Sequence, residues 1–211
     1  MQISDIAAEL DKLPINAFDL VLLIVLMLGL RRGRTRGMSE ELLDLLKWVT
    51  VLFGCSLLYQ PVGQFIAETV QWLGPLSSYL IGYAAVGGMI LILFTGLKHA
   101  LGGKLVGSDI FGRGEYYLGM AAGSVRFASV LLIGLAILNA RHFTSTEVKA
   151  MQKFQDDVYG SNFFPTLHTM QAGVFERSLT GPWIKENLGF LLIKATDPVE
   201  NRNRPREIDV L

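Results

Sequence analysis

Apolar residues in this chain fall into four long blocks separated by short polar stretches. Ala17 to Leu30 is broken only by Asp19, and Leu42 to Tyr59 carries Asp44 and Lys47 near its start. Pro75 to Leu97, PLSSYLIGYAAVGGMILILFTGL, holds no charge, and Tyr116 to Ala140 is uncharged except for Arg126. A helix of roughly 20 apolar residues crosses the hydrocarbon core of a bilayer, about 30 Å thick. A helix packed on one face in water keeps its other face polar, so the third block predicts a membrane crossing. The four blocks together predict an all-α membrane protein with four transmembrane helices, at about 14–31, 42–59, 75–97 and 116–140. The first reaches spanning length if it starts near Pro14.

Beyond Ala140 the pattern changes. Thr144 and Glu147 have the spacing of a capping box, after which Val148, Met151, Phe154 and Val158 share one helical face. Phe163-Phe164-Pro165 follows, then a helical pattern around Gln171 to Leu179. The run Leu188 to Ile193 is too short to span, and the terminal NRNRPREIDV reads as a disordered end. The expected division is a membrane domain over 1–140 and a short helical external segment over 141–211. The segment's limited apolar content predicts docking on the membrane or a partner, not an independent core.

Charge in the connections sets an orientation. The first loop, RRGRTR, holds Arg31, Arg32, Arg34 and Arg36, whereas Gln60 to Gly74 contains Glu68 and no Lys or Arg. The third loop carries Lys98, Lys104 and Arg113. Basic residues stay cytoplasmic, so loops one and three are expected inside and both termini outside. The arginine cluster either sets topology alone or also contacts anionic headgroups. In the second loop, Phe65, Ile66, Thr69, Val70 and Leu73 recur at helical spacing, opposite Gln64, Glu68 and Gln71. That suits a short interfacial helix or an outward extension of a neighbouring span.

Composition narrows the function classes. Hydrophobic residues are 51% and charged ones 18%, the mean hydropathy is +0.39, and the formal net charge is zero, which argues against a nucleic-acid partner. The single cysteine, Cys55, permits no internal disulfide and reads as a small buried apolar residue. The start, MQISDIAAELDKLP, lacks the basic region and apolar core of a cleaved signal, so the first span is expected to drive insertion. His99, His142 and His168 are scattered, and no H-E-x-x-H, G-x-S-x-G or Walker loop is present. No catalytic residue, metal site or cofactor is expected.

Several local patterns resemble the colicin V production protein family of bacterial inner-membrane proteins. Asp19, Gly29, an Arg-Gly, Glu41 and Trp48 follow the family's order through its first two spans. Here the Arg-Gly occurs twice, as Arg32-Gly33 and Arg36-Gly37. The third loop and fourth block, KLVGSDIFGRGEYYLGMAAGSVRFASVLLIG, resemble the family's Gly-rich turn, leucine-glycine and Gly-x-x-Arg, at Leu118-Gly119 and at Gly123 with Arg126. Phe127 stands where the family usually has glycine. The resemblance covers roughly Ala17 to Ala140. It implies an integral membrane protein needed for colicin V production or export, linked to cell-envelope physiology and with no established catalytic activity.

Arg126 is the sharpest candidate, because a basic side chain at that depth costs at least about 2.5 kcal/mol unless paired or wet. Gly119, Gly123, Arg126 and Gly134 fall on one helical face. Small residues at this spacing let helices approach closely, so Arg126 is expected to point into the bundle. Counting depth at about 1.5 Å per residue makes Asp19 its expected partner in an intramembrane ion pair, ahead of Asp44. Asp44 and Lys47, one turn apart near the cytoplasmic boundary, are expected either to neutralise each other or to snorkel. Gly87-Gly88 with Ala84 forms a second small-residue surface.

The reading these features support is a non-catalytic accessory or structural protein in toxin production or secretion and envelope homeostasis. Its expected partners are the lipid bilayer and either further copies of itself or other envelope proteins. The alternative is a small oligomeric channel or transporter with a path lined by Asp19 and Arg126.

Overall fold

The computed structural model describes residues 15–70, 72–101, 112–160 and 165–196. Phe163-Phe164, Lys104, Gln71, residues before 15 and the terminal NRNRPREIDV lie outside the described residues. The described chain is all-helical, with an isolated bridge between Arg141 and Thr196 as its one extended pairing. Helix α1 runs over Ala17–Thr69, α2 over Pro75–Leu101 and α3 over Glu115–Asn139. These three are long and apolar enough to cross a membrane. Three shorter helices follow: α4 (Ser145–Tyr159), α5 (Leu167–Phe175) and α6 (Gly181–Asn187).

The 53 residues of α1 merge two expected elements. The helix is capped at its start by Asn16, in a box with Asp19. It then runs straight through the RRGRTR stretch, which was expected as a loop. Arginine is a good helix former and nothing in the stretch breaks the ladder. The break comes at Gly37, whose φ of 76° and ψ of 171° no helical residue adopts and few side chains tolerate. A straight helix of this length would reach about 80 Å. Instead Phe18 and Tyr59 share one hydrophobic core, and Asp19 and Tyr59 both bond the segment 179–194. The chain therefore folds back at Gly37 into two antiparallel limbs, 17–36 and 38–69.

The second limb carries Phe65, Ile66 and Thr69 onward as helix up to its cap at Val70. That stretch therefore continues a neighbouring long helix as far as Thr69 and is not a separate short helix, and Phe65 and Trp72 stay exposed.

Both α2 and α3 pack on α1. The limb 38–69 is central: Val51, Cys55 and Tyr59 meet Tyr83 and Val86 of α2 and Leu135 and Ala136 of α3 in one core. Close approach to α2 occurs where Gly82 lies against the backbone of Tyr59 and Gly63. The first limb runs antiparallel to α3.

The polypeptide after α3 docks on the end of this bundle remote from Gly37. Phe175, Ile184, Leu192 and Ile193 join the same hydrophobic core as Val51 and Tyr59. The run around Leu188 to Ile193 is a 3-10 turn (Gly189–Leu191) followed by extended backbone. Helix α4 has the predicted Thr144–Glu147 box and a left-handed cap at Gly160, but buries none of its residues, and Phe154 and Val158 are exposed.

Candidate functional site around the buried arginine

Two glycine ladders set the position of Arg126. On α1, Gly29, Gly33 and Gly37 repeat every fourth residue and line one face. On α3, Gly123, Gly119 and Glu115 descend in the same steps, so the antiparallel pair runs in register: Gly29 against Gly123, Gly33 against Gly119, Gly37 against Glu115. A Cβ on Gly33 or on Gly119 would overlap the carbonyl oxygen of the other, and one on Gly123 that of Gly29. Backbones are thus in direct contact, which small residues alone permit.

Arg126 lies one turn beyond this seam and is buried, with 6% of its surface exposed. Its Nη1 donates to Glu41 Oε2 at 2.5 Å and lies 3.5 Å from Asp44 Oδ2. Glu41 has no exposed surface at all. Around the two carboxylates stand three more cations: Arg36 Nη1 lies 3.7 Å from each, Lys47 Nζ 2.9 Å from Asp44 Oδ1, and Lys98 Nζ 3.6 Å from it. Both limbs of α1 and both other long helices contribute. Phe127 lays its ring 4.9 Å from the Arg126 guanidinium. A cation over an aromatic face is stabilised there, more so away from water.

At the Gly37 break the second limb begins with free backbone N–H groups. Glu115 closes this end from across the bundle, its Oε1 accepting from Ser39 N at 2.5 Å. A carboxylate at a helix N-terminus is also favoured by the helix dipole.

The sequence profile of the colicin V production protein family matches residues 18–172, most of the chain. The chain belongs to the colicin V production protein family. No curated protein and no solved structure matches it. Several of the residues through which the chain resembles the family now have physical roles. Gly29 and Gly119 belong to the seam, and of the two Arg-Gly pairs, Gly33 enters the seam while Gly37 makes the turn. Glu41 is the arginine's partner.

The expected Asp19–Arg126 pair does not form. Asp19 sits at the other end of the first limb, where its carboxylate accepts from Asn16 N, Leu179 N, Thr180 N and the Thr180 hydroxyl, at 2.6 to 3.1 Å. The depth count failed for two reasons. The first limb continues to Arg36, so the second starts at once after Gly37 and carries Glu41 one turn into the bundle. Helical side chains also lean toward their own N-terminus, which swings the long arginine back toward the Gly37 end. Glu41 was visible as part of the resemblance, whereas Glu115, just before the fourth block, carried no signal that singled it out.

The remaining expectations divide. Asp44 and Lys47 pair as their spacing suggests. Gly134 and Gly88 do not serve the close approach expected of them, since a Cβ on either meets nothing within 4 Å. Of the expected Gly87-Gly88 surface, Gly87 does face a neighbouring helix, at Cys55 Sγ. Arg31, Arg32 and Arg34 lie exposed on the last turns of the first limb, and only Arg36 turns inward.

The Asp19 clasp carries its own test. Asn at this position keeps one acceptor but presents an amide to N–H groups, and hydrogen bonds to a charged group contribute about 1.5–3 kcal/mol. Asp19→Asn should leave the core helices folded and loosen the 178–181 turn. Amide exchange at Leu179 and Thr180 is expected to accelerate at least about tenfold, while amides around Cys55 stay protected.

Proposed function

We propose that this family member is a four-span, multi-pass protein of the bacterial inner membrane, with both termini outside. In this reading it acts without catalysis as an accessory or structural component of toxin production or secretion and envelope homeostasis. The fold-back at Gly37 supports two crossings from α1, and α2 and α3 supply the others. The basic residues Arg31 to Arg36 and Lys98 gather at the Gly37 end, which supports placing that end in the cytoplasm. There Arg31, Arg32 and Arg34 are free to face anionic headgroups.

One observation carries the accessory reading over a conduit. The most buried charge, Arg126, is held by Glu41 and Asp44 beside a seam of backbone on backbone. Such an arrangement fixes helices in place, and it removes Asp19 from the path that a channel lined by both residues would need. The protein's work then lies in its surfaces, toward lipid, envelope proteins or other copies of itself.

The test is ion and small-solute flux through liposomes holding the purified, folded protein. No flux above protein-free vesicles, for wild type and for the Arg126→Leu/Glu41→Leu double variant alike, is the expected result. Flux that appears with wild type and changes in the variant would replace the accessory reading with the conduit.

A further inference from the structure

At the end of the bundle remote from Arg126, a cavity of about 660 Å³ lies between the outer turns of α1 and α3 and the docked segment. Its size is that of a small-molecule site. The walls are fixed by hydrogen bonds that cross between elements. Asn139 Nδ2 donates to Ile193 O at 3.0 Å, Gln171 Nε2 to Arg141 O at 3.1 Å, and Ser56 Oγ to Phe190 O at 2.7 Å. A cavity held open in this way is preorganised, so filling it needs little further ordering.

Its chemistry is that of an anion site beside lipid. Tyr59 is buried, and its hydroxyl oxygen accepts from Lys194 N at 3.0 Å and from Gln60 Nε2 at 3.1 Å. The hydroxyl's own proton has no acceptor among the described residues and is left to donate. Lys185 and Lys194 line the same cavity and make no ion pair among the described residues. The Lys185 ammonium stands 5.9 Å from the ring of buried Phe175. Glu176 is the one acidic side chain in the lining, so the two lysines leave it cationic. Phe190 at the wall is 65% exposed, and Leu57, next to Ser56 on the outward face of α1, is 72% exposed. The mouth is thus flanked by the apolar surface that a membrane helix turns to acyl chains.

We propose that this cavity binds the phosphate of a membrane phospholipid, with Lys185, Lys194 and the Tyr59 hydroxyl as donors and the acyl chains lying along Phe190 and Leu57. The proposal rests on membrane placement and not on the accessory role. Gly189 supplies a clean obstruction: it lines the cavity, its φ is not positive, and a Cβ there meets nothing within 4 Å.

The experiment is native mass spectrometry of the delipidated full chain in detergent, titrated with phosphatidylglycerol, diacylglycerol of the same chains, or soluble glycerol phosphate. Phosphatidylglycerol should bind, and the Lys185→Gln/Lys194→Gln variant should weaken it about thirtyfold, two cations near a membrane surface being removed. Gly189→Leu, which keeps both lysines, should weaken it as much while keeping the wild-type unfolding temperature. Equal binding of diacylglycerol would overturn the phosphate. Competition by glycerol phosphate at concentrations equal to the lipid would overturn the lipid source. Binding unchanged in both variants would overturn the site.

Discussion

Arg126→Leu is expected to destabilise the bundle by about 3–5 kcal/mol, because it strands a fully buried carboxylate. Glu41 has no exposed surface, and its other neighbouring cation, Arg36, stands 3.7 Å away and is partly exposed. Loss of protein from membranes and a lower unfolding temperature in detergent are the readouts. The decisive variant is Arg126→Leu combined with Glu41→Leu. Replacing both members of a buried pair by apolar side chains removes the desolvation cost along with the attraction. The double variant should therefore recover most of what Arg126→Leu loses. Asp44 keeps Lys47 at 2.9 Å and Lys98 at 3.6 Å, so it is not stranded in turn. Asp19→Asn combined with Arg126→Leu should show simple additivity, as distant sites do. A coupling energy between Asp19 and Arg126 as large as that between Glu41 and Arg126 would contradict the geometry.

That contrast also marks how far the sequence could be read. The apolar blocks were legible because a lipid-facing helix must be apolar around most of its circumference, and α2 and α3 fall within a few residues of the expected bounds. The inward face of α3 was legible too, since Gly119 and Gly123 stand four apart. Arg126 follows three residues later on that face. The turn between the limbs was not, because a string of arginines reads equally as a cytoplasmic loop and as a snorkelling helix end. Only the positive φ at Gly37 separates the two, and that is a property of the fold. Pairing was the least legible feature: depth counted along the helix axis ignores where a side chain of arginine's length delivers its charge. The contact of Asp19 with the docked segment could not be found from spacing, because its donors there, Leu179 N, Thr180 N and the Thr180 hydroxyl, lie more than 150 residues away.

The glycine seam gives the second large effect and a control within the same helices. Gly33→Ala adds a single methyl group, yet its Cβ would overlap Gly119 O, and Gly119 C and Met120 Cα, also crowded, belong to a helix that cannot move without its neighbours. The same holds for Gly119→Ala, whose Cβ would also lie 2.8 Å from the Gly37 backbone. Overpacking a well-packed contact costs typically about 1–3 kcal/mol, and here backbone, not a flexible side-chain tip, must give way. Each substitution is expected at the upper end of that range, read as a lower unfolding temperature. Separating α1 from α3 by even an ångström also draws Arg126 away from Glu41, so the seam and the ion pair should fail together. Gly33→Ala and Arg126→Leu should accordingly be less than additive, unlike the Asp19 and Arg126 pair. Gly134→Ala and Gly88→Ala place the same methyl where nothing lies within 4 Å. Alanine is also the better helix former by about 1 kcal/mol, so both should be neutral or slightly stabilising. If all four alanine variants behaved alike, glycine would be serving chain flexibility and not contact, and the antiparallel register of α1 and α3 would have to be given up.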